Sequence, residues 1–379
     1  MIKKDNSMAL LPNGFVDLLP PFAEKEAKAI QTLMDKFASF GYSRIKPPLL
    51  EFEDSLLGCG IGSILAGDTF RLMDSVSNRM LGLRSDTTPQ ISRIVSTRLK
   101  NEPRPLRLAY ANDVLRTRGS QMRSERQFTQ VGCELIDENN SYDSDIEICV
   151  MAILGLKSLG VKGIILDLTI PKFVSDILGD ANSNAEIEKA VRRRDLDALL
   201  SMDSEQAHIL AGAMAASGTA GNALFLLENI TFDGNMQGKI SHLKHICAGV
   251  NSAMLDLGID DVCVSIDVLE QTGFEYHNGL GFTIFADGLS GELGRGGSYD
   301  LHFGGYEHIE IARGFTLYMD TILQITDISV DKTCVFVPNN EPWSAIAELQ
   351  DKGWIIVRGE SLNKECTHIY ENGKVKEIN

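Results

Sequence analysis

The segment Arg126-Gln-Phe-Thr-Gln-Val-Gly-Cys-Glu-Leu-Ile136 limits most tightly what this chain can fold into. A period of two puts Arg126, Phe128, Gln130, Gly132 and Glu134 on one face and Gln127, Thr129, Val131, Cys133 and Leu135 on the other. The second face is mostly apolar and suits a core. Fully buried parallel strands read as unbroken apolar runs, so a long alternating strand points to an antiparallel sheet with unlike faces. Leu106 to Tyr110 and Val114 to Arg116 are also β-like. The expected class is therefore α+β rather than a βαβ array.

Helical and β patterns surround that strand. Ala23, Ala27, Ile30, Leu33, Met34 and Phe37 recur at helical spacing between Pro21 and Phe40, with Gly41 just beyond. Phe70 to Met73 and Met80 to Leu83 read as a hairpin. Thr88 is the expected cap of a helix with Pro89 in its first turn. Ser144-Asp-Ile-Glu147 has the form of a capping box, opening a helix that runs to about Leu159. Two similar stretches, Leu159 to Asp167 and Leu257 to Ser265, bracket residues 170 to 256, which are rich in helix formers. The expected organisation is a core over 1–326 with a helical insertion at about 170–256, then a small β-α-β unit over 327–379. Arg192 to Arg194 are expected on a solvated face of the insertion.

Composition matters mainly for what it excludes. At 44% hydrophobic and 23% charged, the chain carries no apolar run approaching the ~18 residues of a membrane span. The start is basic, but Met8 to Leu11 is too short for a signal-peptide core, so a cytoplasmic location is expected. Seven cysteines with no C-x-x-C pair and no Cys/His spacing read as reduced thiols, with no metal site and no cofactor motif. A formal charge of -16 repels polyanions at long range, which counts against a nucleic-acid role.

Several clusters could carry chemistry. Gln130 and Glu134 fit a solvent-facing polar side of a half-buried sheet, which periodicity alone favours, or the floor of a polar ligand pocket. Arg116, Arg118, Arg123 and Arg126, four arginines in eleven positions, suit either an anion such as phosphate or a solvated loop. Leu83-Arg84-Ser-Asp86-Thr-Thr88-Pro89 sets a carboxylate and a hydroxyl where a strand hands over to a helix. Gly291 to Asp300 is glycine-dense but lacks both G-x-G-x-x-G spacing and a P-loop lysine, so alone it reads as a close-packed turn.

Taken in order, these stretches resemble the histidyl-tRNA synthetase core. The resemblance rests on Gly14-Phe-Val-Asp17-Leu-Leu-Pro20, Gly41-Tyr42 to Glu51, Leu83 to Thr88 and, most specifically, Arg126 to Glu134. Gly273-Phe-Glu-Tyr276-His-Asn278, Gly296-Gly-Ser-Tyr-Asp300 and Gly314-Phe315 continue it. It implies a class II aminoacyl-tRNA synthetase-like antiparallel sheet flanked by helices. It further implies that Asp86 and Thr88 grip an α-amino group while Gln130, Glu134 and Tyr276 line a histidine pocket.

The departures from that pattern are as informative. Arg116 stands at the family's α-phosphate contact, but Arg118 replaces the acid that reads the adenine amino group, and a cation cannot accept that hydrogen bond. Thr272 and Thr321 replace two arginines that would hold phosphate, each worth ~10²-fold or more in rate. His277 replaces a second pocket tyrosine. About half the residues of the family's anticodon-binding domain remain after Thr326.

A kept amino-acid pocket without an ATP engine is similar to the family of ATP phosphoribosyltransferase regulatory subunits, synthetase paralogues of histidine biosynthesis. That resemblance implies no chemistry of its own and no tRNA. It also implies a homodimer, assembly with a short-form catalytic subunit in a hetero-octamer, and feedback inhibition by histidine. An active histidyl-tRNA synthetase and a dimeric scaffold without ligand are the alternatives.

Overall fold

A computed structural model describes residues 11–58, 61–119, 123–138, 141–179, 185–274, 276–303, 308–328, 333–362 and 366–378. The basic start, Cys59, positions 120–122 of the arginine-rich stretch, and Glu275 lie outside the described residues. The chain divides into two compact units, Met1–Ile328 and Ser329–Asn379.

The first unit is built on a sheet that has nine strands among the described residues. From one edge these are Ser43–Arg44, Leu106–Leu115, Gln127–Asp137, His308–Tyr318, Gly294–Phe303, Gly281–Ala286, Ile164–Thr169, Val262–Ile266 and Gly218–Thr219. The six central strands, Leu106–Leu115 through Ile164–Thr169, pair antiparallel, as the alternation in Arg126 to Ile136 requires. Ile164–Thr169 and Val262–Ile266 pair in parallel, because the helices between them return the chain to the same end of the sheet. Those helices run from Phe173–Leu178 to Gly234–Asp256. Arg192, Arg193 and Arg194 are all exposed, as expected of a solvated face, and Arg194 also bonds Asp267.

The apolar face of the sheet meets two helices. Val131, Cys133 and Leu135 are buried against Leu33 and Phe37 of the helix Phe22–Ala38 and Ile148 and Ala152 of the helix Tyr142–Ser158. The Phe37 ring meets Phe315 edge-on at 5.6 Å. Each such large apolar side chain contributes roughly 1.5–3 kcal/mol by leaving water. Under the second helix, Arg313 donates to Asp145 Oδ1 at 2.7 Å, and His242 of the long insertion helix meets Asp145 Oδ2 at 2.9 Å. This polar knot ties insertion, helix and sheet together.

Two expected caps fall elsewhere. The helix predicted to open at Ser144 opens at Ser141, whose hydroxyl accepts from the Asp143 amide at 3.2 Å. Ser144 is buried inside the first turn. The helix Thr88–Thr97 is preceded by Thr87, whose side chain makes no cap bond; the Thr88 hydroxyl is diverted toward the opposite face of the sheet.

The second unit is a four-stranded sheet in which Cys334–Pro338 lies between Ile355–Gly359 and His368–Glu371, both parallel to it. The helix Trp343–Asp351 packs Ile346 and Leu349 against Val335 and Val337. A hairpin to Lys374–Glu377 extends the β-α-β arrangement, turning at Asn372 and Gly373, both with positive φ.

Candidate ligand-binding site

The polar face of the sheet is the floor of a cavity, and the solvent-facing reading of Gln130 and Glu134 is corrected. Gln130 is 0% and Glu134 1% exposed. The start of the helix Thr88–Thr97 and the segment around Tyr276 and His277 enclose, with Glu134, a cavity of about 350 Å³; Gln130 is not among its lining residues but bonds Asp86, which is. The two faces of the strand are those its alternation gives; the polar one is roofed by parts of the chain distant in sequence.

Glycines keep this floor low. Gly132, Gly314 and Gly297 lie on neighbouring strands, Gly314 paired with Glu134 on one side and with Gly297 on the other. A Cβ at Gly314 would sit 1.9 Å from Glu134 Oε2, and one at Gly297 2.6 Å from the His277 ring. One at Gly132 would sit 2.1 Å from the Phe315 carbonyl. The polar side chains can lie across the sheet only because these positions carry none.

A connected set of hydrogen bonds orients the acidic side. Gln130 accepts from the Thr87 amide at 3.0 Å and donates to Asp86 Oδ2 at 2.8 Å. The Thr88 amide donates to Asp86 Oδ1 at 3.0 Å. Thr88 Oγ1 donates to Glu134 Oε1, and Tyr299 donates to Oε2, each at 3.1 Å. Burial pushes the Glu134 carboxyl up to about 8, with Asp86 adding to the rise against the two hydroxyl bonds. Burial thus favours the protonated form of Glu134, and a cationic or N–H group placed beside it would favour ionisation. Burial, then Asp86 and Glu134, hold the Tyr276 phenol well above its usual range.

His277 stacks on Tyr276 with centroids 4.2 Å apart. Burial, and then the Arg295 charge, lower its pKa to about 3, so the ring is neutral, and its buried Nδ1 has no hydrogen-bond partner. Of the four arginines, Arg116 and Arg123 line the cavity. Arg116 lies 3.8 Å from Asp86; Arg123 is held by Asp320 at 2.7 Å and stacks on Tyr318. Arg126 instead bonds the Arg116 and Asn13 carbonyls. Arg118 is 78% exposed, 3.8 Å from Asp68. The structure therefore divides the predicted anion cluster in two.

Residues missed by the sequence reading lie in the glycine-dense stretch taken as a close-packed turn. Most of it belongs to the strand Gly294–Phe303, whose alternation aims Arg295 and Tyr299 into the cavity, and Glu292 just before the strand also lines the wall. Period two across Arg295, Gly297 and Tyr299 was the available signal. Thr272 lines the cavity and Thr321 accepts from Arg123 at 3.4 Å, so neither position presents a cation.

Among known proteins, the histidyl-tRNA synthetase family model matches residues 14–322. The ATP phosphoribosyltransferase regulatory subunit of Rhodospirillum centenum is 41% identical over 98% of this chain and 97% of its own. That of Paramagnetospirillum magneticum is 40% identical over 95% of each. A solved structure described as an ATP phosphoribosyltransferase regulatory subunit/histidyl-tRNA synthetase from Bacillus halodurans superposes with a TM-score of 0.78. It covers 93% of this chain and 92% of that one at 22% identity, a likeness of fold. The architecture is the class II synthetase-like fold. With near-full-length identity to those curated relatives, the chain belongs to the family of ATP phosphoribosyltransferase regulatory subunits.

Proposed function

We propose that this chain is the non-catalytic regulatory subunit of an ATP phosphoribosyltransferase at the first step of histidine biosynthesis, with histidine as its effector. It works in the cytoplasm, pairs with itself and joins a short-form catalytic subunit in a hetero-oligomer, a hetero-octamer by family resemblance. Among the described residues no helix is long and apolar enough to cross a membrane.

The observation that carries the proposal is the contrast between the two ends of the cavity. Asp86, Thr88, Gln130 and Glu134 form a continuous bonded set suited to an amino group and a ring N–H. Elsewhere Arg118 is in solvent and Thr272 and Thr321 are uncharged, so of the cations expected to hold ATP these three positions supply none, although Arg116, Arg123 and Arg295 line the cavity. Adenylation requires fixed cations around the phosphates as charge moves to the leaving group, and losing them removes most of the rate. Binding can survive where turnover cannot. Histidine bound among Asp86, Thr88, Gln130, Glu134, Tyr276 and His277 would then shift assembly states by a coupling of about 1–3 kcal/mol.

The test mixes the full chain with a short catalytic subunit and follows ATP and phosphoribosyl pyrophosphate turnover. Co-elution, stimulation, and inhibition by histidine are expected. Absence of stimulation, or robust histidine-dependent ATP–pyrophosphate exchange by the chain alone, would overturn the proposal.

A further inference from the structure

The cavity has a second charged wall that the bonded acidic set does not use. Arg295 enters from the strand Gly294–Phe303, where it pairs with Thr316 on one side and Thr283 on the other. Its Nε donates to Glu292 at 2.5 Å and its Nη1 to the Thr272 carbonyl. Those two bonds fix the plane of the guanidinium. Among the described residues nothing accepts from Nη2, although the residue lines the cavity. The Phe274 ring lies 5.6 Å from the guanidinium carbon.

The local backbone is shaped around this side chain. Gly273 has φ +81, and a Cβ there would sit 1.6 Å from Arg295 Nη1. Both the turn and the space therefore require glycine. Beside the guanidinium lies His277, 5% exposed, with its Nδ1 unpartnered. A buried ring nitrogen left without a partner costs free energy that a bound molecule can recover. Arg295 and His277 thus form a part of the wall that is polar, held in place and not fully satisfied.

The other two arginines that line the cavity stand elsewhere on its wall. Arg123 is bound to Asp320 and clamped between Phe128 and Tyr318. Arg116 donates to the Ser85 carbonyl at 3.2 Å and lies near Asp86, on the acidic side. Arg295 is the cation placed to meet an anion across the cavity from Asp86 and Glu134.

We propose that Arg295 is the carboxylate anchor of this pocket. It offers Nη2 to the carboxylate of an α-amino acid whose cationic or N–H groups lie on Asp86 and Glu134, so that the site requires a zwitterion and rejects the corresponding amine. This rests on the amino-acid pocket proposed above. It adds the residue that reads the acid group.

The test titrates the full chain with L-histidine and with histamine, which keeps the amine and imidazole but lacks the carboxylate, in wild type and in Arg295→Gln. Wild type is expected to prefer histidine by roughly 10- to 100-fold, the size of a charged hydrogen bond. Arg295→Gln is expected to bring the two ligands within a few-fold, mainly by weakening histidine. Adding Thr272→Arg to that variant returns a cation beside the same space and is expected to restore part of the preference. Should Arg295→Gln fail to fold, Arg295→Lys serves in its place and is expected to cut the preference several-fold.

A preference unchanged in these variants would overturn the proposal, as would a wild type that binds both ligands equally. A wild type that binds neither overturns the amino-acid pocket itself, and this anchor with it. The two failures are therefore distinct.

Discussion

The Tyr299 hydroxyl reaches across an intervening strand and donates a hydrogen bond to Glu134 Oε2 at 3.1 Å. The strand between them carries Gly314 at the crossing point, opposite Glu134. With Thr88 donating to the other oxygen, the carboxyl is gripped on both sides, yet burial outweighs those bonds and raises its pKa to about 8. A ligand that places a cation or N–H there favours the ionised form. Binding at pH 7 is therefore expected to release protons. Calorimetry in buffers of different ionisation enthalpy measures that release, and Glu134→Gln should remove it while weakening affinity by about tenfold or more. Equal proton release in wild type and variant would exclude Glu134 as its source.

The same group makes the protein's stability sensitive to pH. Its folded pKa lies above the unfolded carboxylate value, so its contribution to stability is fully present below about 4.5 and is lost as pH rises through about 8. Asp167, raised to about 6 chiefly by burial, adds to the slope at the acid end. Thermal stability without ligand is expected to fall across that window by an order of a few kcal/mol. In Glu134→Gln the decline between about pH 6 and pH 8 should flatten. An identical decline in the variant would assign the slope to other groups.

The glycine floor separates packing from ligand space. Gly132→Ala drives a Cβ to 2.1 Å from the Phe315 carbonyl, a backbone atom that can move only by opening the sheet. It is expected to cost about 1–3 kcal/mol of stability, read from the denaturant midpoint. Gly314→Ala meets the Glu134 carboxylate at 1.9 Å and the Cys133 carbonyl at 2.7 Å. It should displace Glu134 and reduce ligand affinity by more than tenfold in the protein that remains folded. Unchanged affinity would mean that Glu134 lies outside the ligand's reach.

Local pattern revealed much of the fold, and the reason is visible in individual residues. The alternation from Arg126 to Ile136 was sufficient to assign Val131 and Cys133 to the core, because their burial follows from the strand's own geometry. The fate of Gln130 and Glu134 was not local. They are buried because the chain near Thr88 and Tyr276, 42 and more residues away in sequence, closes over them. Arg295 was hidden for a related reason. A glycine-dense stretch reads as a turn until the neighbouring strands, Gly281–Ala286 and His308–Tyr318, are known to flank it. Capping at Thr88 failed as an expectation because Glu134 Oε1 takes its hydroxyl hydrogen bond.

Arg313 and Asp145 form a buried ion pair between sheet and helix, with side chains 1% and 2% exposed. Their 2.7 Å bond joins the strand His308–Tyr318 to the helix Tyr142–Ser158, and His242 brings the long insertion helix to the same carboxylate. Removing one member of such a pair leaves the other charge in a low-dielectric interior. Arg313→Met is thus expected to cost about 3–5 kcal/mol, and Asp145→Asn a comparable amount. Replacing both by apolar residues of similar size should recover much of the loss, because no charge is then left behind. His242→Ala removes only the partly exposed partner and should cost about 1 kcal/mol. Denaturant unfolding of the four variants measures these differences. A loss below about 1 kcal/mol for Arg313→Met would show that the pair contributes little to holding the insertion on the sheet.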